Sequence, residues 1–159
     1  MRITPFFSPG ELLTSYLVTD ENPRTGVFMN ISEISQRMIA ILHDVSLYTV
    51  LISDNRPSIL RNVRLLAKVY PFTFHDFHGQ NRLRVGNLEI ERISMGSRVA
   101  PIFRVNGYLF PGNSDIQPML AKLDPQLIIL PSDGPISTVR NEIRLSSFRQ
   151  EHSVLSRIV

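Results

Sequence analysis

The sequence predicts an α+β fold in one domain: a mixed sheet with two β-hairpins and about three helices packed on it, mixed α/β being the close alternative. Three observations predict it. Arg82–Glu91 and Ile102–Phe110 alternate around two-residue turns, Gly86-Asn87 and Asn106-Gly107, the chemistry hairpins favour. Apolar residues recur at helical spacing in Ile31–Val45 and Ile59–Tyr70. Leu47–Ser53 and Gln126–Leu130 are nearly continuous in apolarity, as buried strands are.

In chain order, Phe6–Gly10 reads as a leader or turn. Leu12–Val18 and Gly26–Met29 read as strands separated by the turn-rich segment 20–25. Asn30, with Glu33 three residues on, then resembles a capping box ahead of the stripe Ile31, Ile34, Met38, Ile41, Leu42 and Val45. Leu47–Ser53 is expected as an interior strand. Asp54-Asn55-Arg56-Pro57 ends it and opens a second helix, Pro57 falling in the first turn where its missing N–H is harmless. Ile59, Leu60, Val63, Leu66, Ala67 and Tyr70 form the buried side of that helix.

The first hairpin register sets Leu83 opposite Ile90, Arg84 opposite Glu89 and Arg82 opposite Glu91. Each such cross-strand pair is worth about 0.2–1 kcal/mol. The second sets Phe103 opposite Phe110, and its flanking Pro101 and Pro111 suggest a sheet edge. Ser114 caps a short helix over Asp115–Leu123, and Gln126–Leu130 is a further strand. Val139, Asn141, Ile143 and Leu145 alternate with polar residues, as a last strand would. Residues 1–145 are thus read as one domain and 146–159 as a polar C-terminal tail or linker.

Composition narrows function more by exclusion than by assignment. The 159 residues are 43% hydrophobic and 19% charged, enough apolar content for a core of ordinary size. There is no cysteine, which excludes disulfides, thiolate metal clusters and a Cys nucleophile. No apolar run is long enough to cross a bilayer, no secretory leader is legible, and a cytoplasmic location is expected. The formal charge is +3, and all but Lys68 and Lys122 of the 17 basic residues are Arg, a side chain suited to carboxylates and phosphates.

No phosphate-binding glycine loop, dinucleotide fingerprint or Gly-x-Ser-x-Gly elbow occurs, and no cofactor is expected. Arg56, Arg61, Arg64 and Lys68 line the second helix with no acid between Asp54 and Asp76. They form a candidate surface for an anionic partner: a protein, nucleic acid or membrane headgroups. Phe103, Tyr108 and Phe110 on the second hairpin are a candidate protein-docking edge. Asp76 and His78, beside His75, are weak candidates for a metal, short of the ligand count a structural site needs. Asp54 and Asp133 each follow an apolar strand, where open α/β sheets place ligands; as helix cap and turn former they also have a simple structural reading.

Together these features favour a non-catalytic interaction or scaffold domain of a larger assembly, such as secretion or pilus machinery or a viral structural component. A nucleic-acid-binding protein using the Arg-lined helix is the alternative, and a His/Asp metal-dependent enzyme ranks behind both.

Overall fold

The computed structural model describes residues 1–20, 24–73, 77, 80–94, 96 and 99–155, with side chains described as far as 147. Among these residues the chain forms two sheets. The first comprises β1 (Arg2–Ser8), β2 (Leu13–Thr19), β3 (Thr25–Met29) and β4 (Ser46–Leu51), in that order across the sheet. Its β3 and β4 are parallel, and the other pairs are antiparallel. Helix α1 (Gln36–Asp44) connects β3 to β4, and α2 (Pro57–Leu66) follows β4. The second sheet comprises β5 (Arg82–Val85), β6 (Leu88–Ile93), β7 (Ile102–Val105), β8 (Tyr108–Phe110), β9 (Ile128–Ile129) and β10 (Ser137–Thr138). It is ordered β10-β9-β8-β7-β6-β5, with β8 and β9 parallel. A 3-10 segment, Gln117–Lys122, lies between β8 and β9, and α3 (Val139–Leu155) closes the chain.

Strand alternation sorts the apolar side chains into three layers of contact. Phe6, Leu17, Phe28 and Val50 face Met38 and Leu42 of α1 and Ile59, Val63 and Leu66 of α2. Val18, Val27, Met29 and Leu51 face Val85, Leu88, Ile90, Phe103, Val105 and Phe110 of the other sheet. Ile102, Leu109 and Ile129 face Met119 and Leu120 of the 3-10 segment and Val139 of α3. The stacking is therefore helix, sheet, sheet, helix. Each buried aliphatic or aromatic side chain contributes about 1.5–3 kcal/mol to holding it. The α+β expectation holds, with the sheet divided in two.

Both hairpins form in the expected register. Arg82 pairs with Glu91, Leu83 with Ile90, Arg84 with Glu89 and Phe103 with Phe110. Glu91 is also held by Arg104 of the next strand at 2.7 Å, more closely than by Arg82 at 3.7 Å. The second hairpin is interior rather than at an edge, because β8 also pairs with β9. Pro101 and Pro111 stand just outside β7 and β8, where they remove no ladder hydrogen bond.

Four local expectations are corrected. Phe6–Ser8, expected in a leader or turn, belong to the strand β1, which accommodates Pro5 because it is an edge strand, while Pro9 and Gly10 form the turn after it. The cap of α1 is Ser35, whose hydroxyl accepts from the Met38 N–H at 3.2 Å, not Asn30. β4 ends the ladder of named strands rather than lying inside it, although an isolated parallel bridge from Thr73 to Thr49 covers part of its outer side. The segment from Val139 is helical rather than extended: Val139 and Ile143, four residues apart, share the face packed on the second sheet. Thr138 Oγ1 accepts from the Asn141 N–H at 3.2 Å at the start of that helix. The boundary expected at residue 146 thus falls within α3.

Candidate functional site at the strand ends

Both parallel pairs, β3–β4 and β8–β9, run toward the same end of the molecule. The segments that leave them meet there, joined by hydrogen bonds from Asn30 to Ser53 and Ser132 and from Ser132 to Gly112. From the first sheet come Asn30, Ser53, Asp54 and Arg56. From the second come Gly112, Ser132 and Asp133.

Asn30 stitches these segments together. It adopts φ +58° immediately after β3, a conformation asparagine tolerates better than most residues. Its Oδ1 accepts from the backbone N–H groups of Ser53 at 2.9 Å and Asp54 at 3.1 Å. Its Nδ2 donates to the hydroxyls of Ser53 at 2.9 Å and Ser132 at 3.0 Å. Gly112 closes the seam, its carbonyl accepting from the Ser132 N–H at 3.1 Å. Asn30, Ser53, Asp54 and Ser132 are all buried, and among the described residues no buried side-chain polar atom lacks a hydrogen-bond partner.

Asp54 is the charged centre of the site. Its side chain is 0% exposed, and a buried charged group is costly unless it is paired and hydrogen-bonded. Arg56 supplies both the pairing and the hydrogen bonds. Its Nε donates to Asp54 Oδ1 at 3.0 Å and Oδ2 at 2.8 Å, its NH2 donates to Oδ2, and its backbone N–H donates to Oδ1 at 3.1 Å. The same NH2 lies 3.5 Å from Asp133 Oδ2 on the second sheet's loop. The hydrogen bond to Asp54 raises the guanidinium's already high pKa, and the charges of Asp54, Asp133 and Glu11 add to the effect. Arg56 is therefore cationic at every working pH.

Tyr16 lies beside the seam, its hydroxyl donating to the Pro131 carbonyl at 2.9 Å. Burial pushes its phenol pKa up, and a hydrogen bond with Thr14 offsets part of that rise. As pH climbs past about 10, the unfolded chain loses this proton before the folded one does, so stability holds below that pH and falls above it. Urea melts between about pH 9 and 11 should show this decline shallower in Tyr16→Phe; an unchanged slope would assign the decline to other groups.

The structure distributes the sequence candidates unequally. Arg61 and Arg64 lie on the exposed face of α2 and, with Lys68 in the turn just past its C-terminus, line a groove with Leu60 and Leu65. Arg56 is turned from that series into the strand-end ion pair. Phe103 and Phe110 are buried between the sheets and Tyr108 is half-buried. The expected docking edge is thus largely core, because stacking of the first sheet covers the aromatic face. His75, Asp76 and His78 lie outside the described residues. Asp54 and Asp133 come together. Asn30 and Gly112 are site residues that the sequence does not single out, since each looks like an ordinary cap or turn former in isolation.

No family model matches the chain, and no curated protein matches it significantly in sequence. Solved structures do match its fold. ETHE1 from Myxococcus xanthus superposes with a TM-score of 0.74 at 14% identity, covering 91% of this chain and 82% of that one. The B3 metallo-β-lactamase BLEG-1 gives 0.71 at 12% identity, covering 90% of this chain and 97% of that one. TTHA1623, solved in a di-iron-bound form, gives 0.60 at 13%, covering 89% and 97%. The fold is that of the metallo-β-lactamase-like proteins. This corrects the expectation of a non-catalytic scaffold or structural component: the architecture is shared with metallo-enzymes.

A metal does not fit the described donors at this site. Arg56 occupies both oxygens of Asp54, and Asn30 Oδ1 is taken by two backbone N–H groups. Among the described residues no group of three or more His, Cys, Asp or Glu side chains could hold a metal. His43, the one histidine whose side chain is described, stacks edge-on against Tyr70 beside α1. Among the same residues no helix is long and apolar enough to cross a membrane.

Proposed function

We propose that the chain carries a hydrolase-type function at the strand-end site. The observation supporting this most directly is the meeting of Asp54, Arg56 and Asp133 where both parallel strand pairs end, in a fold shared with a B3 metallo-β-lactamase. Asp133 presents a carboxylate that is 55% exposed, and the Arg56 side chain is 30% exposed. A carbonyl oxygen laid against the accessible part of the guanidinium would be polarised by its charge. Asp133, alongside, is placed to take a proton from an attacking water. Glu11, Asp54 and Asp133 surround a single guanidinium, so the field favours a neutral or cationic substrate over an anionic one. A location in the cytoplasm is part of the same proposal, to be checked by cell fractionation.

The test is a panel of a chromogenic β-lactam, a carboxylic ester, a thioester and a phosphodiester, each assayed with and without added Zn²⁺ or Fe²⁺. A neutral carbonyl substrate should be turned over. Asp133→Asn should lower kcat by about 100-fold or more while leaving Tm nearly unchanged, since that carboxylate is largely in solvent. Turnover of nothing under any condition, or full turnover by Asp133→Asn, would overturn the reading.

A further inference from the structure

We infer that Arg56 is the resident cation of the strand-end site: its guanidinium, bridging Asp54 of one sheet to Asp133 of the other, supplies the positive charge that a metallo-enzyme takes from a bound ion, and closes the site to divalent metals. The inference goes beyond the hydrolase reading and does not depend on turnover.

Three observations carry it. The Asp54 carboxylate is 0% exposed and is gripped by Nε on both oxygens and by NH2 on Oδ2, charge-assisted hydrogen bonds of the stronger kind. The same NH2 reaches Asp133 Oδ2 at 3.5 Å, so one cation joins loops from both sheets, as a metal with ligands on two elements does. The surrounding polar groups are already engaged: Asn30 is committed to Ser53, Asp54 and Ser132, and Gly112 lies against the Ser53 carbonyl. A divalent ion could reach Asp54 only by expelling a guanidinium tethered two residues away. Loss of that guanidinium would leave a buried carboxylate without its cation, a strongly destabilising condition.

The experiment is thermal unfolding of the purified full chain with elemental analysis, comparing wild type with Arg56→Met and the double variant Asp54→Asn/Arg56→Met. Wild type should contain no stoichiometric transition metal, and neither EDTA nor added Zn²⁺ or Fe²⁺ should move its Tm. Arg56→Met should lower Tm by about 10 °C. The double variant should regain most of that loss, because replacing the carboxylate by an amide keeps the shape without the charge. If Arg56→Met does not fold, a folded double variant supports the inference and an equally unfolded one overturns it. It is also overturned by a stoichiometric metal whose removal lowers Tm, or by an Arg56→Met variant as stable as wild type.

Discussion

Gly112→Ala is expected to unfold the protein or to lower its Tm by more than about 15 °C, the largest effect expected of a methyl group added at any described glycine. Two costs combine. Gly112 has φ +62°, where an L-residue other than glycine pays about 1–2 kcal/mol. An added Cβ would also lie 1.9 Å from the Ser53 carbonyl oxygen and 2.5 Å from its carbon, well inside any real contact. Ser53 cannot simply withdraw, because its N–H is held by Asn30 Oδ1 and its hydroxyl by Asn30 Nδ2. Gly134→Ala isolates the conformational cost. Gly134 also has positive φ, at +89°, but an added Cβ meets nothing within 4 Å. That variant should lose only the conformational part, a shift of a few degrees. Thermal melts of the two variants side by side decide the matter: similar Tm values would show that the seam between the sheets yields easily.

The same seam explains what can be read from the sequence. The hairpins are legible down to individual pairs because their information is local: a turn dipeptide fixes the register, and the register fixes which side chains oppose each other. Phe103 opposite Phe110 follows from that logic, but their burial does not, because it depends on a second sheet arriving from residues 2–51. The segment from Val139 reads as a strand because Val139, Ile143 and the polar residues between them satisfy both a period of two and an i, i+4 spacing. Helix contact with the 3-10 segment decides between those patterns.

The site is half legible for a related reason. Asp54 and Asp133 stand out because each follows an apolar strand, but nothing in the linear sequence joins positions so far apart. Only the parallel ordering of β3 with β4 and of β8 with β9 brings those strand ends together. Spacing and charge group Arg56 with Arg61, Arg64 and Lys68. Its position just ahead of α2, before the helical repeat begins, is what frees it to fold back on Asp54.

Asn30 shows most clearly how a residue with a plausible local role acquires a different one in the tertiary structure, and Asn30→Ala carries the second-largest expected effect. Truncation would remove the acceptor for two backbone N–H groups, Ser53 and Asp54, in a buried setting. Each buried donor left unsatisfied costs about 1–3 kcal/mol, and alanine at φ +58° adds conformational strain. The total is about 3–6 kcal/mol, or roughly 10 °C or more in Tm for a chain of this size. Asn30→Gly separates the contributions, since glycine accepts the backbone angle but restores none of the hydrogen bonds. It should therefore recover only the strain and remain well below wild type. A glycine variant melting with wild type would mean that water replaces the side chain at no cost, and that the seam is held by Arg56 and Gly112 rather than by Asn30. A glycine variant close to alanine would instead place nearly all the cost in the lost hydrogen bonds, making Asn30 the residue that holds Ser53 and Asp54 in position for the ion pair.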